Sequence, residues 1–565
     1  MAIRRREFFE LGVGLVAGAA LASCGGGGTP PEADKKPPEA DKKAPSPTPS
    51  PSPSPSPMVL PHPELEERSI ADLLAALAAK TETTASLVAK YRARIDACNE
   101  RGPELRAVLV LDPDADAQAA VLDAERAAGK LRGPLHGIPI LVKDNIDTAG
   151  KLPTTAGSRA LAGTFATADA PLITRLRAAG ALVLGKTNLS EWANLRGAGS
   201  SSGWSALGGQ CRNPYALDRS PSGSSSGSAA ATAASLCAAA LGSETDGSIT
   251  SPASCNALVG VKPTIGLVSR TGVIPISASQ DTVGPLARTV ADAAALLTAI
   301  AGPDPKDPVT TAPHPLRPAA PEYYARFLDP KALAGVRLGV PRAGFFGLSR
   351  HFDACIEAAL KQLTALGAVL VDPVEIVVAP ELAAAELEVL ETELKAGMAA
   401  YLATRGPDTK PRTLADLIAF NTAQAETEMP RFGQELFEAA QTKGDLTSKV
   451  YLDARALCIR AARTEGLDKA LAEHKLDAII AGTSGTAWLI DPVNGDGGTP
   501  AFTQLPAIAG YPHVTVPAGA YLGLPMGLSF VGRPYSEAKL LAYAFAYEQA
   551  THLRTPPRFA ASART

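Results

Sequence analysis

Neither sign of charge dominates this chain. Its 54 Lys and Arg residues against 57 Asp and Glu leave a formal net charge of -3, and the charges are dispersed, so nothing in the sequence offers a basic footprint for nucleic acid. There is no Cys-x-x-Cys pair. The 7 cysteines (Cys24, Cys98, Cys211, Cys237, Cys255, Cys355 and Cys458) are widely spaced, which points away from a zinc site or redox dithiol and towards buried free thiols, with a disulfide left open. No segment recurs at a fixed period, which excludes a solenoid or propeller. The apolar stretch nearest the N-terminus, Leu11 to Ala22, falls short of the roughly 20 residues a membrane-spanning helix needs.

That short stretch follows Arg4-Arg5-Arg6-Glu7-Phe8-Phe9 and precedes Leu21-Ala22-Ser23-Cys24. Basic, apolar and small-residue parts in this order resemble a bacterial lipoprotein signal, with lipid attached at Cys24, and the paired arginines resemble a twin-arginine export signal. From Gly25 to Pro57 the chain is Gly, Pro, Ser, Lys and Glu, ending in Pro-Ser repeats. So few apolar residues cannot build a core, and the proline density favours an extended spacer rising about 3.1 Å per residue. The expectation is an exported cell-envelope lipoprotein whose partners are the membrane, through the lipid on Cys24, and a small-molecule or peptide substrate.

Beyond the spacer, strand and helix patterns alternate. Ile70, Leu73, Leu74 and Leu77 recur at helical spacing, as do Leu87, Val88, Tyr91 and Ile95. The run Gly137-Ile138-Pro139-Ile140-Leu141-Val142-Lys143-Asp144-Asn145 reads as a buried strand with Lys143 at its end. His136 reads as a turn residue, and Ser190-Glu191-Trp192-Ala193 as the opening of a helix. Further strands are expected at Leu258–Pro263, Gly266–Arg270, Val336–Val340, Val369–Val371, Ala478–Ala481, Val514–Pro517 and Leu528–Val531, with Ser277–Pro285 as a polar loop. The alternation predicts an α/β fold whose sheet is covered by helices on both faces.

The most informative stretch is Ser220-Pro221-Ser222-Gly223-Ser224-Ser225-Ser226-Gly227-Ser228, which runs into the alanine-rich Ala229 to Leu241 and then Glu244-Thr245-Asp246-Gly247-Ser248-Ile249-Thr250-Ser251. A linker is not followed by a core element. Ala229–Leu241 predicts a buried helix capped by Ser226 or Ser228, with an anion-holding loop at its positive end. Lys143 is either a strand-end lysine reaching solvent or a desolvated one with a depressed pKa, usable as a base. Gly223-Ser224-Ser225-Ser226-Gly227 also satisfies the Gly-x-Ser-x-Gly elbow, which would make Ser225 the nucleophile, with His474 or His513 as candidate triad partners. Against it, Asp218-Arg219-Ser220-Pro221 is a poor central strand to lead into an elbow.

Lys143, the Gly-Ser cluster and Ser248, with Gly185-Lys186-Thr187-Asn188 and Gly260-Val261-Lys262-Pro263-Thr264, resemble the amidase signature family over about Glu64 to Gln549. The resemblance implies a large mixed central sheet and a Ser-cisSer-Lys triad: Ser248 as nucleophile, Ser224 as bridge after a cis peptide bond, Lys143 as base. It also implies an oxyanion hole from the backbone of Thr245, Asp246 and Gly247, no metal or other cofactor, and the hydrolysis of amides, with motifs most similar to bacterial peptide amidases. A non-catalytic binding protein on the same scaffold is the alternative of another class. Glu244, Asp246 and Thr250 stand where the commoner family pattern has Asp, Gly and Arg. The expected organisation is a signal peptide over 1–23, a lipid-bearing tether over 24–61, one amidase domain over 62–555 with a helical insertion at about 381–437, and a tail over 556–565.

Overall fold

The computed structural model describes residues 60–320, 322–406, 410–499 and 501–563, all within one compact unit, Met58–Thr565. The leader, Cys24 and nearly all of the expected tether lie outside the described residues. The strands are β1 (Val108–Leu111), β2 (Pro139–Lys143), β3 (Leu182–Thr187), β4 (Trp204–Ser205), β5 (Gly209–Gln210), β6 (Ala239–Glu244), β7 (Val259–Lys262), β8 (Thr282–Ala287), β9 (Arg337–Pro341), β10 (Val369–Val374), β11 (Ala478–Gly482), β12 (His513–Tyr521) and β13 (Leu524–Val531).

Strands β4 and β5 form a small hairpin; the other strands make one 11-stranded sheet in the order β1-β3-β2-β6-β8-β7-β12-β13-β11-β9-β10. It is mixed: β3, β2 and β6 run parallel, β6 to β11 through the centre pair antiparallel, and β11, β9 and β10 are again parallel. Side chains alternate between the two faces of a strand, yet every residue of β2, β3, β6 and β8 is buried. Both faces are therefore covered, which is why these strands read as continuous apolar or small-residue runs. At the edge, β10 is largely exposed and tolerates Pro373.

The helices Ile70–Ala78 and Thr84–Cys98 form where their apolar spacing places them, each opened by a capping box from Ser69 or Thr83. The segment expected to be largely helical holds the helices Leu382–Ala403, Leu414–Ala423 and Glu435–Thr442. All of the described cysteines are free, and only Cys355 is not fully buried.

Four local expectations change. Ala229–Leu241 is not one helix: the helix is Ser226–Ala233, the chain turns at Ser235 with φ +53°, and Ala239 onward is β6. A short alanine run has no period that separates a buried helix from a buried strand, and here a close-packed sheet decides. Ser277–Pro285 is not all loop, because Thr282 onward is the central strand β8. Its Gly284 reads as a turn signal but serves close approach: a Cβ there would lie 1.9 Å from the Val261 carbonyl oxygen. Gly266–Arg270 is a turn, with Gly266 at φ +88° and the Leu267 N–H on Thr264 C=O at 3.0 Å. Finally, Glu191–Asn194 is a single tight turn, with φ of +49°, +52° and +72° at Trp192, Ala193 and Asn194, not a helix start.

Candidate active site

Strand β2 carries Lys143 into the interior, where it is 0% exposed. Its Nζ donates to Ser224 Oγ at 2.8 Å, Ser243 Oγ at 3.0 Å and Ser243 C=O at 3.1 Å. These partners are neutral. An ammonium buried among hydroxyls and a carbonyl has lost its water without gaining a bonded carboxylate, and burial pushes the Lys143 pKa down to about 7 against the weaker pull of Asp281 and Glu244. The solvent-reaching alternative is ruled out. Ser243, which no sequence pattern singled out, is the pivot: its hydroxyl also accepts from Asn145 Nδ2 at 2.8 Å.

Ser224 follows a cis peptide bond after Gly223 and is buried. Its carbonyl accepts the Ser190 N–H at 3.0 Å. The surrounding serines are structural. Ser226 Oγ donates to Ser222 C=O at 2.7 Å, and Ser228 Oγ donates to Leu241 C=O at 2.9 Å, so neither caps the helix. Ser225 Oγ donates to Ser243 C=O at 3.1 Å and accepts the Ser243 N–H at 3.3 Å, stitching the helix start to β6. With that hydroxyl occupied, His513 bonded to Ser529 and no strand leading into the turn, the elbow arrangement is absent among the described residues. At the helix start two N–H groups are already taken, Ser225 N–H by Ser248 C=O at 3.1 Å and Gly227 N–H by Asn188 C=O at 2.9 Å.

The free donors lie on the Ser248 loop instead. Glu244 at the end of β6 accepts the N–H of Ile249 at 2.7 Å and of Thr250 at 2.9 Å, folding the intervening residues into a tight bend. Within the bend Gly247 has φ +72°, a region that L side chains rarely adopt. No acceptor among the described residues takes the N–H of Asp246, Gly247 or Ser248. Thr245 is held by its hydroxyl on Asp281 at 2.6 Å and by its carbonyl, which accepts from Gln280 at 3.2 Å. Asp281 is further fixed by the N–H groups of Ile276 and Ser277. Burial and the nearby Glu386 push the Asp246 carboxyl well above the usual range. Ser248 itself is 7% exposed, and its hydroxyl has no hydrogen bond among the described residues. Lys143 and Ser224 are thus in direct contact, and Ser248 is tethered beside them through the Ser225 backbone.

Two further buried lysines serve different ends. Lys186 on β3 bonds Ile146 C=O at 2.7 Å and Thr154 Oγ1 at 2.8 Å and pairs with Asp144 at 3.6 Å. Lys262 on β7 reaches only Pro263 C=O at 3.3 Å, and burial lowers its pKa to about 8. His136 is a turn residue as expected, bonding Leu122 C=O and the Arg132 N–H. The single Ser-x-x-Lys spacing, Ser536 to Lys539, merely opens the last helix: Ser536 Oγ donates to Arg533 C=O at 2.7 Å and Lys539 is exposed.

A profile of the Amidase family matches residues 86–541. The crystal structure of a peptide amidase, PAM, in complex with the competitive inhibitor chymostatin superposes with a TM-score of 0.84 at 50% identity, covering 87% of this chain and 99% of that one. A "Probable amidase" of Arabidopsis thaliana is 40% identical over 508 residues, 88% of this chain and 92% of its own length. A glutamyl-tRNA(Gln) amidotransferase subunit from Symbiobacterium thermophilum is 37% identical over 449 residues, 77% of this chain and 87% of its own. These relatives overturn the expected cell-envelope localisation and give no support to the membrane as a partner: they include amidases of a plant and of the fungi Arthroderma benhamiae and Schizosaccharomyces pombe, organisms without a bacterial envelope. The lipoprotein signal rested on a short leader around Cys24, outside the folded body that all of them share. No helix among the described residues is long and apolar enough to cross a membrane. In sheet, helices and sequence over most of its length, this chain belongs to the amidase signature family, and it is an amidase.

Proposed function

We propose that the chain hydrolyses carboxylic amides, C-terminal peptide amides among them, through an acyl-enzyme on Ser248, with Ser224 as the bridging serine and Lys143 as the base. The observation that carries this reading is the 2.8 Å contact from Lys143 Nζ to Ser224 Oγ in a site that gives the lysine no bonded carboxylate, so that it is neutral and able to accept a proton above about pH 7. Ser248 Oγ attacks the amide carbonyl carbon as its proton passes to Ser224 and that of Ser224 to Lys143. The carbonyl oxygen, now negative, is met by the backbone of the Thr245–Ser248 bend, whose N–H groups at Asp246, Gly247 and Ser248 are unclaimed by protein acceptors. The C–N bond breaks as the relay runs in reverse, and ammonia leaves with the returned proton. Water then attacks the acyl ester by the same relay and releases the acid. A peptide amide as substrate is supported by the likeness to the peptide amidase.

Ammonia release from a C-terminally amidated peptide tests this. Ser248→Ala is expected to abolish it, and Ser225→Ala to leave measurable turnover; loss in Ser225→Ala with turnover kept in Ser248→Ala would sink the assignment.

A further inference from the structure

A cleft of about 500 Å³ lies apart from the catalytic residues: none of Lys143, Ser224 and Ser248 lines it, and its walls come from distant parts of the chain, among them Ile265, His314, Glu393, Arg455 and Tyr535. That volume is in the range of small-molecule sites, about 300–1,000 Å³. Its cations set it apart. Arg317, Arg455 and Arg463 all line it, and none of the three has a carboxylate within ion-pair distance among the described residues. Glu393, the carboxylate on the wall, is spent on neutral donors: the Tyr451 hydroxyl on one oxygen at 2.7 Å, and on the other the Ser277 hydroxyl with the N–H and hydroxyl of Ser279.

Two of the guanidiniums are pinned in place. Arg317 Nη1 donates to Gly266 C=O at 3.0 Å and Thr310 C=O at 2.6 Å, Nη2 donates to Val309 C=O at 2.7 Å, and the group lies 4.7 Å from the centre of the Tyr535 ring. Its Nε–H is buried without a partner among the described residues. Arg463 Nε donates to Ala509 C=O at 2.8 Å, which leaves both of its Nη groups unspent, and Arg455 has no hydrogen bond among the described residues. Helix geometry brings these last two together. Residues eight apart on a regular helix point about 80° apart round its axis, but the helix Lys449–Ile459 runs on into a π-helical stretch, Arg460–Leu467, whose wider turns narrow that gap. The like charges are felt: burial foremost, then Arg317 and Arg463, lowers the His314 pKa, and burial foremost, with Arg455 adding to it, lowers that of Arg463.

Half-buried cations crowded without a counter-charge, with fork-shaped donors free, are the complement of an oxyanion. At neutral pH a phosphate monoester brings about two negative charges and three acceptor oxygens, where a carboxylate brings one charge. The rest of the wall is apolar, from Ile265, Val309 and Pro534 among others. We infer that this cleft is a binding site for an organic phosphate monoester, its phosphoryl oxygens taken by Arg455 and Arg463 with Arg317 alongside, and its apolar body lying on Ile265, Val309 and Pro534.

Calorimetric titration of the protein with phenyl phosphate, inorganic phosphate, sulfate and benzoate tests this without relying on turnover. Phenyl phosphate is expected to bind about tenfold more tightly than inorganic phosphate, because its ring leaves water for the apolar wall, and about tenfold more tightly than benzoate, which brings a single charge. Substituting both Arg455→Gln and Arg463→Gln is expected to weaken phenyl phosphate binding at least about tenfold, while Ser248→Ala leaves it unchanged. Equal affinity for sulfate, inorganic phosphate and phenyl phosphate would mean an adventitious ion only and would overturn the site, as would full affinity in the arginine variant. If that variant does not melt cooperatively, the ligand series in the wild type decides together with inhibition kinetics: phenyl phosphate that raises KM for an amide and leaves kcat alone lies in the catalytic site, which also overturns the cleft.

Discussion

Lys143 and Lys186 sit on neighbouring parallel strands, one residue out of register, with Val142 beside Lys186 and Lys143 beside Thr187. Because side chains alternate along a strand, the two leave the sheet on opposite faces. Both are 0% exposed and both have a lowered pKa, with burial as the largest cause. Their partners separate them. Lys186 faces the Asp144 carboxylate, itself saturated on its other oxygen by the Thr155 hydroxyl and N–H, whereas Lys143 faces two serine hydroxyls and a carbonyl. Burial alone therefore does not make a lysine a base. A compensating anion turns the buried charge into structure, and its absence leaves a proton acceptor poised near neutrality.

Substitution should pull the pair apart. Lys143→Met is expected to lower kcat by about 10³-fold or more at a stability cost of about 1–2 kcal/mol from its lost hydrogen bonds, smaller than that of breaking a buried ion pair. Measured in ammonia release and thermal unfolding, normal turnover in this variant would end the comparison. Lys186→Met is expected to do the reverse, costing about 3 kcal/mol of stability because Asp144 is left buried without its cation; denaturant unfolding with a midpoint equal to the wild type would show that the ion pair does not hold this face.

The pH dependence sharpens the contrast. With Lys143 as the proposed base and its pKa at about 7, kcat/KM is expected to fall about tenfold per pH unit below 7 and level off above it. The same shift has a stability consequence of fixed sign. Between about 7 and the ordinary value of 10.5 the unfolded chain holds the proton that the folded chain has lost, so this group makes stability rise with pH across that window. A rate flat between pH 5 and 7 would remove the neutral-lysine reading. The smallest effect is expected from Ser243→Ala, which deletes one acceptor shared by Lys143 and Asn145: about tenfold in kcat with about 1 kcal/mol in stability. Turnover equal to the wild type in a variant whose unfolding midpoint falls would make Ser243 structural rather than positioning.

Much of the fold was legible because it follows from period and composition. The early helices form where Ile70, Leu73 and Leu77 and then Leu87, Val88, Tyr91 and Ile95 repeat, and β2 forms where an unbroken apolar run ends in Lys143. What misled were residues whose local meaning differs from their packed meaning. Gly284 and Pro285 signal a turn in isolation but lie in a central strand, and the alanines after Ala233 carry no period. Glu191 and Trp192 look like a helix start because the ion pair with Arg196 that fixes the turn is a contact visible only in three dimensions.

The sequence by itself determined the family and the mixed α/β class, and it singled out Lys143, Ser224 and Ser248 as the proposed triad, because each stands in a motif whose residue types and spacing are specific. Only the tertiary structure decided that Lys143 faces serine hydroxyls and no bonded carboxylate, which serines are tied up as braces, and that Ser243, Glu244 and Asn145 frame the site. Those outcomes depend on distances between strands and loops far apart in the chain, and on burial, which sets proton affinity through surroundings that no local pattern encodes.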